Sequence, residues 1–296
     1  MVSCSIRNYC RRFGLKRTMY FQSESLSTAE ENLAFDEALV EVADTLSIGG
    51  SVADESFTEE AASAFGSANE VLRVWQLESP CVVLGRASKW NEEVNESLCE
   101  RDAVSVLRRA SGGASIVAGP GCLMYSVLIS YQHRPAWRGL DVAHQQVMSR
   151  IRDAVQNTVC TFQMPLNISV QGTCDLTLDG RKFSGNALRC KRNWMLYHGT
   201  ILYSMPLEWL SIYLREPPRQ PAYREKREHG SFVTNLLDET SAIDRMAFRQ
   251  ELESQLAIVW HADQPWLNCP WRNKTDAEAL RLLAERYTNQ QWHRSR

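Results

Sequence analysis

The chain has 296 residues, with 33 lysines and arginines against 35 aspartates and glutamates, a formal charge of −2. That near-balance argues against a protein working through nucleic-acid phosphates, and no apolar run approaches the roughly 18 residues needed to span a membrane. Hydrophobic residues at 44% allow a substantial core, while nine scattered cysteines without a C-x-x-C pair and six dispersed histidines point to a reducing, cytoplasmic setting with no metal site.

Residues 1–19 carry five basic side chains and no acid, and read as a disordered basic tail rather than a transit peptide. Thr28 and Glu31 have capping-box spacing ahead of Phe35, Ala38, Leu39 and Val42, which predicts an amphipathic helix to about Thr45. Residues 46–69 lack periodicity and read as a mobile insertion. Strands are predicted at Val71–Leu77 and Cys81–Gly85, joined as a hairpin through Glu78-Ser79-Pro80. A short helix at Val94–Asp102, strands at Val104–Arg109 and Leu123–Ser130, and a long helix at Asp141–Cys160 follow. Asp175–Ser184 reads as a hairpin with Asp179-Gly180 as a type I′ turn. A strand at Trp194–Tyr203, a helix at Leu207–Leu214, a charged loop at Glu216–Gly230 and a helix at about Asp244–Trp260 come next. Thr275 and Glu278 are expected to cap a last helix, Ala277–Tyr287, within a short helical extension over residues 263–296. Irregular mixing of strands and helices argues for an α+β domain over residues 20–262.

Three clusters could carry chemistry. Arg108 and Arg109 precede Ser111, Gly112 and Gly113, so two guanidinium groups stand beside a flexible turn suited to a carboxylate or phosphate. In the hairpin, a two-residue turn pairs Thr177 with Lys182 and Asp175 with Ser184. One face then carries Asp175, Thr177, Lys182 and Ser184, and the opposite face carries Leu176, Leu178 and Phe183. Asp175 and Lys182 lie on a diagonal of about 7–8 Å, within side-chain reach; such a lysine suits holding an anion or polarising an acyl group. The third cluster is His198 in an apolar strand, a position more often structural than catalytic. Among the cysteines, Cys174 beside Asp175 is the best-placed candidate nucleophile, followed by Cys122 and Cys190.

Taken in order, TAEENLAFDEAL (Thr28–Leu39), VVLGR (Val82–Arg86), RRASGG (Arg108–Gly113), Asp175-Leu176, GRKFSGNA (Gly180–Ala187), His198-Gly199-Thr200 and VTNL (Val233–Leu236) resemble the lipoate–protein ligase family, part of the wider group of biotin and lipoate protein ligases. The resemblance implies a mixed sheet flanked by helices, similar to class II aminoacyl-tRNA synthetases and biotin synthetases. It implies ATP with Mg²⁺, lipoate as substrate, a lipoyl-adenylate, and transfer to a lysine of a lipoyl carrier domain of a 2-oxoacid dehydrogenase or glycine cleavage protein. Lys182 is then catalytic, and Arg108, Arg109, Ser111, Gly112, Gly113, Asp175, Ser184, Gly185, Ala187 and His198 bind substrate or adenylate. Such ligases tend to fold a loop like Glu216–Gly230 over the adenylate. The chain departs from the family pattern at Ala114, at Ala118-Gly119 where His-Asp is common, and at Cys174 where Asn is common. Only a short segment follows the matched region, which points to a separate accessory protein or to a second reading: an octanoyl or lipoyl transferase using a cysteine thioester. A non-catalytic module that docks acyl carriers is the third.

Overall fold

Two runs of nine residues, Cys122–Ser130 and Trp194–Leu202, are buried along their whole length. Neither alternates, so both faces of the sheet they form must be covered. The computed structural model describes residues 18–47, 69–217 and 220–295. In chain order it has β1 (Thr18–Gln22), helix α1 (Ala29–Ser47), β2 (Asn69–Trp75), β3 (Cys81–Leu84), β4 (Ser105–Arg108), β5 (Ile116–Ala118), β6 (Cys122–Ser130) and helix α2 (Leu140–Thr161). Then come β7 (Ile168–Gln171), β8 (Asp175–Leu178), β9 (Arg181–Cys190), β10 (Trp194–Leu202), helix α3 (Arg245–Trp260), β11 (Gln264–Pro265) and helix α4 (Arg272–Leu282). Short helical turns fill the connections.

Eight strands form one mixed sheet in the order β11-β1-β2-β6-β10-β9-β8-β7, and a second sheet has the order β4-β3-β5. The fold is α+β, a mixed sheet flanked by helices, as expected. Helix α1 covers one face of the large sheet. There Arg73 of β2, fully buried, pairs with Asp36 of α1 at 2.6 Å, and Asp36 accepts from Ser126 of β6 at 2.7 Å. Helix α2 covers the other face, where His144 Nδ1 stands 2.9 Å from the Tyr197 hydroxyl.

Thr28 and Glu31 close the expected box: Glu31 N donates to Thr28 Oγ1 at 3.2 Å and Thr28 N donates to Glu31 Oε2 at 2.9 Å. Other expectations need correction. Thr18 and Met19 belong to β1, paired in parallel with β2, so only residues 1–17 of the basic tail lie outside the described residues. Most of the expected insertion, 48–68, also lies outside them; Leu46 and Ser47 end α1 and Asn69 opens β2. β2 and β3 do not form a hairpin, because they enter different sheets. The expected 94–102 helix is present but shorter, Glu96–Arg101, and a separate turn at Trp90–Glu93 precedes it. Thr275 does not cap the last helix: Trp271 is its N-cap, and the buried Thr275 hydroxyl donates to Trp271 O at 3.3 Å.

Candidate active site

β9 is where the site begins. Asp179 and Gly180 both take positive φ, 50° and 74°, as a type I′ turn requires. Next to that turn the register is as expected, Leu178 opposite Arg181 and Thr177 opposite Lys182. A bulge then slips it, so Ser184, not Phe183, faces Leu176. Opposed residues share a face, so Ser184 leaves the face of Asp175 and Thr177. The expected pair survives: Lys182 Nζ lies 2.8 Å from Asp175 Oδ1. Gly185 makes room for it, since a Cβ there would stand 2.6 Å from both Lys182 Cε and Nζ.

Lys182 borders a cavity of about 180 Å³ between the two sheets. Its apolar walls come from Trp75, Met124 and Leu202 of the large sheet and from Val83 and Val117 of the small one. Phe232 and Val233 close it from the loop side. Arg109, Gly113, Ser184, Gly185, Ala187 and His198 also line it.

The turn after β4 is held from within. Arg109 Nη2 donates to Gly112 O at 2.6 Å and to Ala114 O at 2.9 Å, and its Nη1 donates to Val83 O at 3.1 Å. Burial lowers this guanidinium to about 10, with Glu93 opposing the shift, so it remains a cation at neutral pH. Gly113, at φ 89°, packs so closely that a Cβ would lie 2.9 Å from Arg109 Nη2. Gly85 is equally constrained, because a Cβ there would meet Gly113 O at 1.9 Å. Ser111 Oγ accepts from Arg109 Nε at 3.1 Å and lies 2.6 Å from His198 Nε2. Burial, then the Arg109 charge, pushes His198 down to about 4, so the ring is neutral at physiological pH.

Arg108 is not brought to this cavity. Its side chain is fully buried, donating to Gly85 O at 2.8 Å, Ser88 O at 2.7 Å and His293 O at 2.8 Å. The expectation that it faces a carboxylate or phosphate is corrected: its charge is spent on backbone carbonyls. The candidate nucleophiles fare no better, for among the described residues no cysteine lines the cavity. Cys174 Sγ donates to Asn186 O at 3.3 Å, and burial, then Asp175, raises its thiol above the ordinary range. Cys122 is fully buried and pushed to about 12. Cys190 is exposed at the end of β9. Neither Cys174 nor Cys122 is a ready thiolate.

Several functional candidates escaped the sequence. Glu93 Oε2 accepts from Ser115 N at 3.1 Å, Ser115 Oγ at 2.6 Å and Ser88 Oγ at 3.0 Å, bracing the glycine turn from outside. Asn186 Nδ2 donates to Cys174 O at 2.7 Å, and its Oδ1 accepts a short hydrogen bond from the Tyr125 hydroxyl. Gly199 leaves space for that amide, whose Oδ1 would lie 1.8 Å from a Cβ. Its place in GRKFSGNA was the available signal. Arg215, just before the charged loop, and Arg224 and His229 within it also line the cavity.

Residues 28–257 match the model of the lipoyl protein ligase A/B catalytic domain, and the chain belongs to that family. A Mycoplasma pneumoniae protein named "Probable lipoate-protein ligase A" is 29% identical over 151 residues, 50% of this chain and 41% of that protein. The chain spans between 35% and 64% of the length of four curated relatives it matches. Its fold is similar to that of a bi-partite lipoate protein ligase from Thermoplasma acidophilum, described with its E2 lipoyl domain (TM-score 0.65, 17% identity, 95% of this chain and 96% of that one). A lipoate-protein ligase A bound with ATP is also similar (TM-score 0.64, 19% identity, 94% and 98%).

Proposed function

We propose that this protein is a lipoate–protein ligase that activates lipoate with ATP and transfers the lipoyl group to a lysine of a lipoyl carrier domain. The observation that carries this reading is the Lys182–Asp175 pair at the rim of a largely apolar cavity. The hydrocarbon of lipoate is taken by the walls of Trp75, Met124 and Val117, and its carboxyl end stays near Lys182. A lipoate carboxylate oxygen attacks the α-phosphorus of ATP and pyrophosphate leaves. The carrier amine then attacks the carbonyl carbon, loses a proton, and releases AMP. In both steps negative charge gathers on oxygens, which a fixed ammonium stabilises.

Asp175 orients Lys182, since one of its oxygens is already given to that ammonium. Arg109 and Gly113 border the same cavity, as does His198, a neutral neighbour of Ser111, while Ser111 and Gly112 stand behind its wall. Mg²⁺ enters with the nucleotide: among the described residues no group of three His, Cys, Asp or Glu forms a cage, and Mg²⁺ is commonly held by phosphates with one or two carboxylates. Relatives named for lipoate ligation and a neighbour of this fold solved with ATP support the choice of substrates. The neighbour described with an E2 lipoyl domain supports a carrier of that class, and its bi-partite make-up supports an accessory protein here. The setting is cytoplasmic in this reading; among the described residues no helix is long and apolar enough to cross a membrane.

The cysteine-based transferase is not favoured, because the three candidate thiols stand off the cavity. Incubation with lipoate, ATP and unmodified carrier domain is expected to yield lipoyl-carrier and pyrophosphate. Modification from octanoyl-carrier without ATP, with none from lipoate and ATP, would overturn the ligase reading.

A further inference from the structure

Asp175 has two carboxylate oxygens and both are engaged. Oδ1 faces Lys182, and Oδ2 accepts from the Tyr223 hydroxyl at 2.7 Å. Tyr223 comes from a different part of the molecule, the turn Ala222–Arg224 in the loop that closes the cavity. Its ring has a built seat. The Phe232 ring lies 5.3 Å away, and Gly172, at φ 57°, passes so near that a Cβ would stand 3.2 Å from Tyr223 Cε1. The chain that follows Tyr223 is tied to the hairpin twice: Arg227 Nη1 donates to Gly180 O at 3.2 Å, and Thr234 N donates to Lys182 O at 2.9 Å. Arg227 Nη2 also holds Tyr223 O at 2.8 Å.

Rotation about the Cβ–Cγ bond moves both carboxylate oxygens, so a hydrogen bond at the second oxygen adds directly to the restraint on the first. Lys182 keeps 29% of its side chain exposed, so solvent competes for its ammonium whenever Asp175 swings away. Burial, then the Asp175 charge, raises the Tyr223 phenol, which therefore stays protonated and donates throughout the physiological range.

We infer that Tyr223 is a positioning residue: by holding Asp175 Oδ2 it fixes the carboxylate that aims Lys182 into the cavity, so alignment of the lysine depends on the loop being seated. The inference rests on the proposed role of Lys182. It predicts that an unseated loop leaves the ammonium loose, and that the reaction centre is complete only under a closed cover.

Tyr223→Phe keeps the ring and its seat while removing one hydroxyl. Two readouts are needed, because one requires turnover and the other does not. Peptide-resolved competitive labelling by acetic anhydride is expected to modify Lys182 at least about threefold faster in Tyr223→Phe, with other lysines unchanged; equal labelling in both proteins overturns the inference. In single-turnover lipoyl transfer, Tyr223→Phe is expected to lose about tenfold in rate, with little change in KM for lipoate. In the Asp175→Asn background the same substitution is expected to cost almost nothing further, since the hydroxyl acts only through the carboxylate. Additive losses would mark Tyr223 as a packing residue and overturn the inference. If wild-type protein transfers no lipoyl group even when supplied with lipoyl-adenylate, the ligase reading fails, and the labelling result still decides the positioning role.

Discussion

A guanidinium, a hydroxyl and an imidazole are linked in series: Arg109, Ser111 and His198, the first and last of which line the cavity. The line works because burial, aided by Arg109, keeps His198 neutral. Its unfolded imidazole titrates near the ordinary 6.5 and its folded one at about 4. Between those values the unfolded chain binds the extra proton, so stability falls as pH drops through that window, on the order of a few kcal/mol in all. His198→Gln is expected to shallow this slope between pH 6.5 and 4, measured by denaturant unfolding at several pH values. An unchanged slope would mean that His198 titrates normally in the fold. The neighbouring arginines show where reading residues one at a time stops. Arg108 and Arg109 are adjacent and chemically equal in the sequence, yet one props up the chain's C-terminal turn and the other lines the cavity. Strand alternation separates them into different surroundings, and only tertiary packing decides which is which.

Elements were legible where a local rule governs them. Thr28 and Glu31 cap α1 because the first turn of a helix leaves backbone donors that only nearby side chains satisfy. Thr275 and Glu278 have the same spacing, but Trp271 starts α4 one turn earlier, and Glu278 is taken by Arg281 at 2.7 Å. In the β8–β9 hairpin the turn dictated the first two pairs, which brought Lys182 to Asp175. The bulge beyond them has no signature in the residues, and it carried Ser184 to the other face. The expected β2–β3 hairpin failed for a related reason: Glu78-Ser79-Pro80 marks a turn, but nothing in a turn says which sheet the next strand joins. β5, at three residues, is too short for a period to be seen. Tyr223 was visible only as part of a charged run; its contact with Asp175 spans 48 residues of sequence.

At the scale of the whole molecule, the last turn of the chain supports the site from behind. Arg108 N donates to His293 Nδ1 at 2.9 Å, His293 O accepts from the Arg108 guanidinium, and Trp292 Nε1 donates to Arg108 O at 3.2 Å. Arg294 forms an ion pair with Glu96 and lies over the Trp90 ring at 4.5 Å. Residues beyond the matched family region therefore hold the strand that feeds the Arg109 turn. Removing residues 290–296 leaves a buried amide and part of a buried guanidinium without acceptors, a loss of about 2 kcal/mol or more. Thermal unfolding is expected to shift down by several degrees, and an unchanged midpoint would show that this segment is a passive tail.

The central claim is that the Lys182 ammonium stabilises charge on an acyl group being activated in the cavity. Lipoate-dependent exchange of labelled pyrophosphate into ATP tests it without a carrier domain. Wild-type protein is expected to exchange only when lipoate is present, and Lys182→Ala to lose that exchange by about a hundredfold or more. Exchange in Lys182→Ala at the wild-type rate would contradict the account.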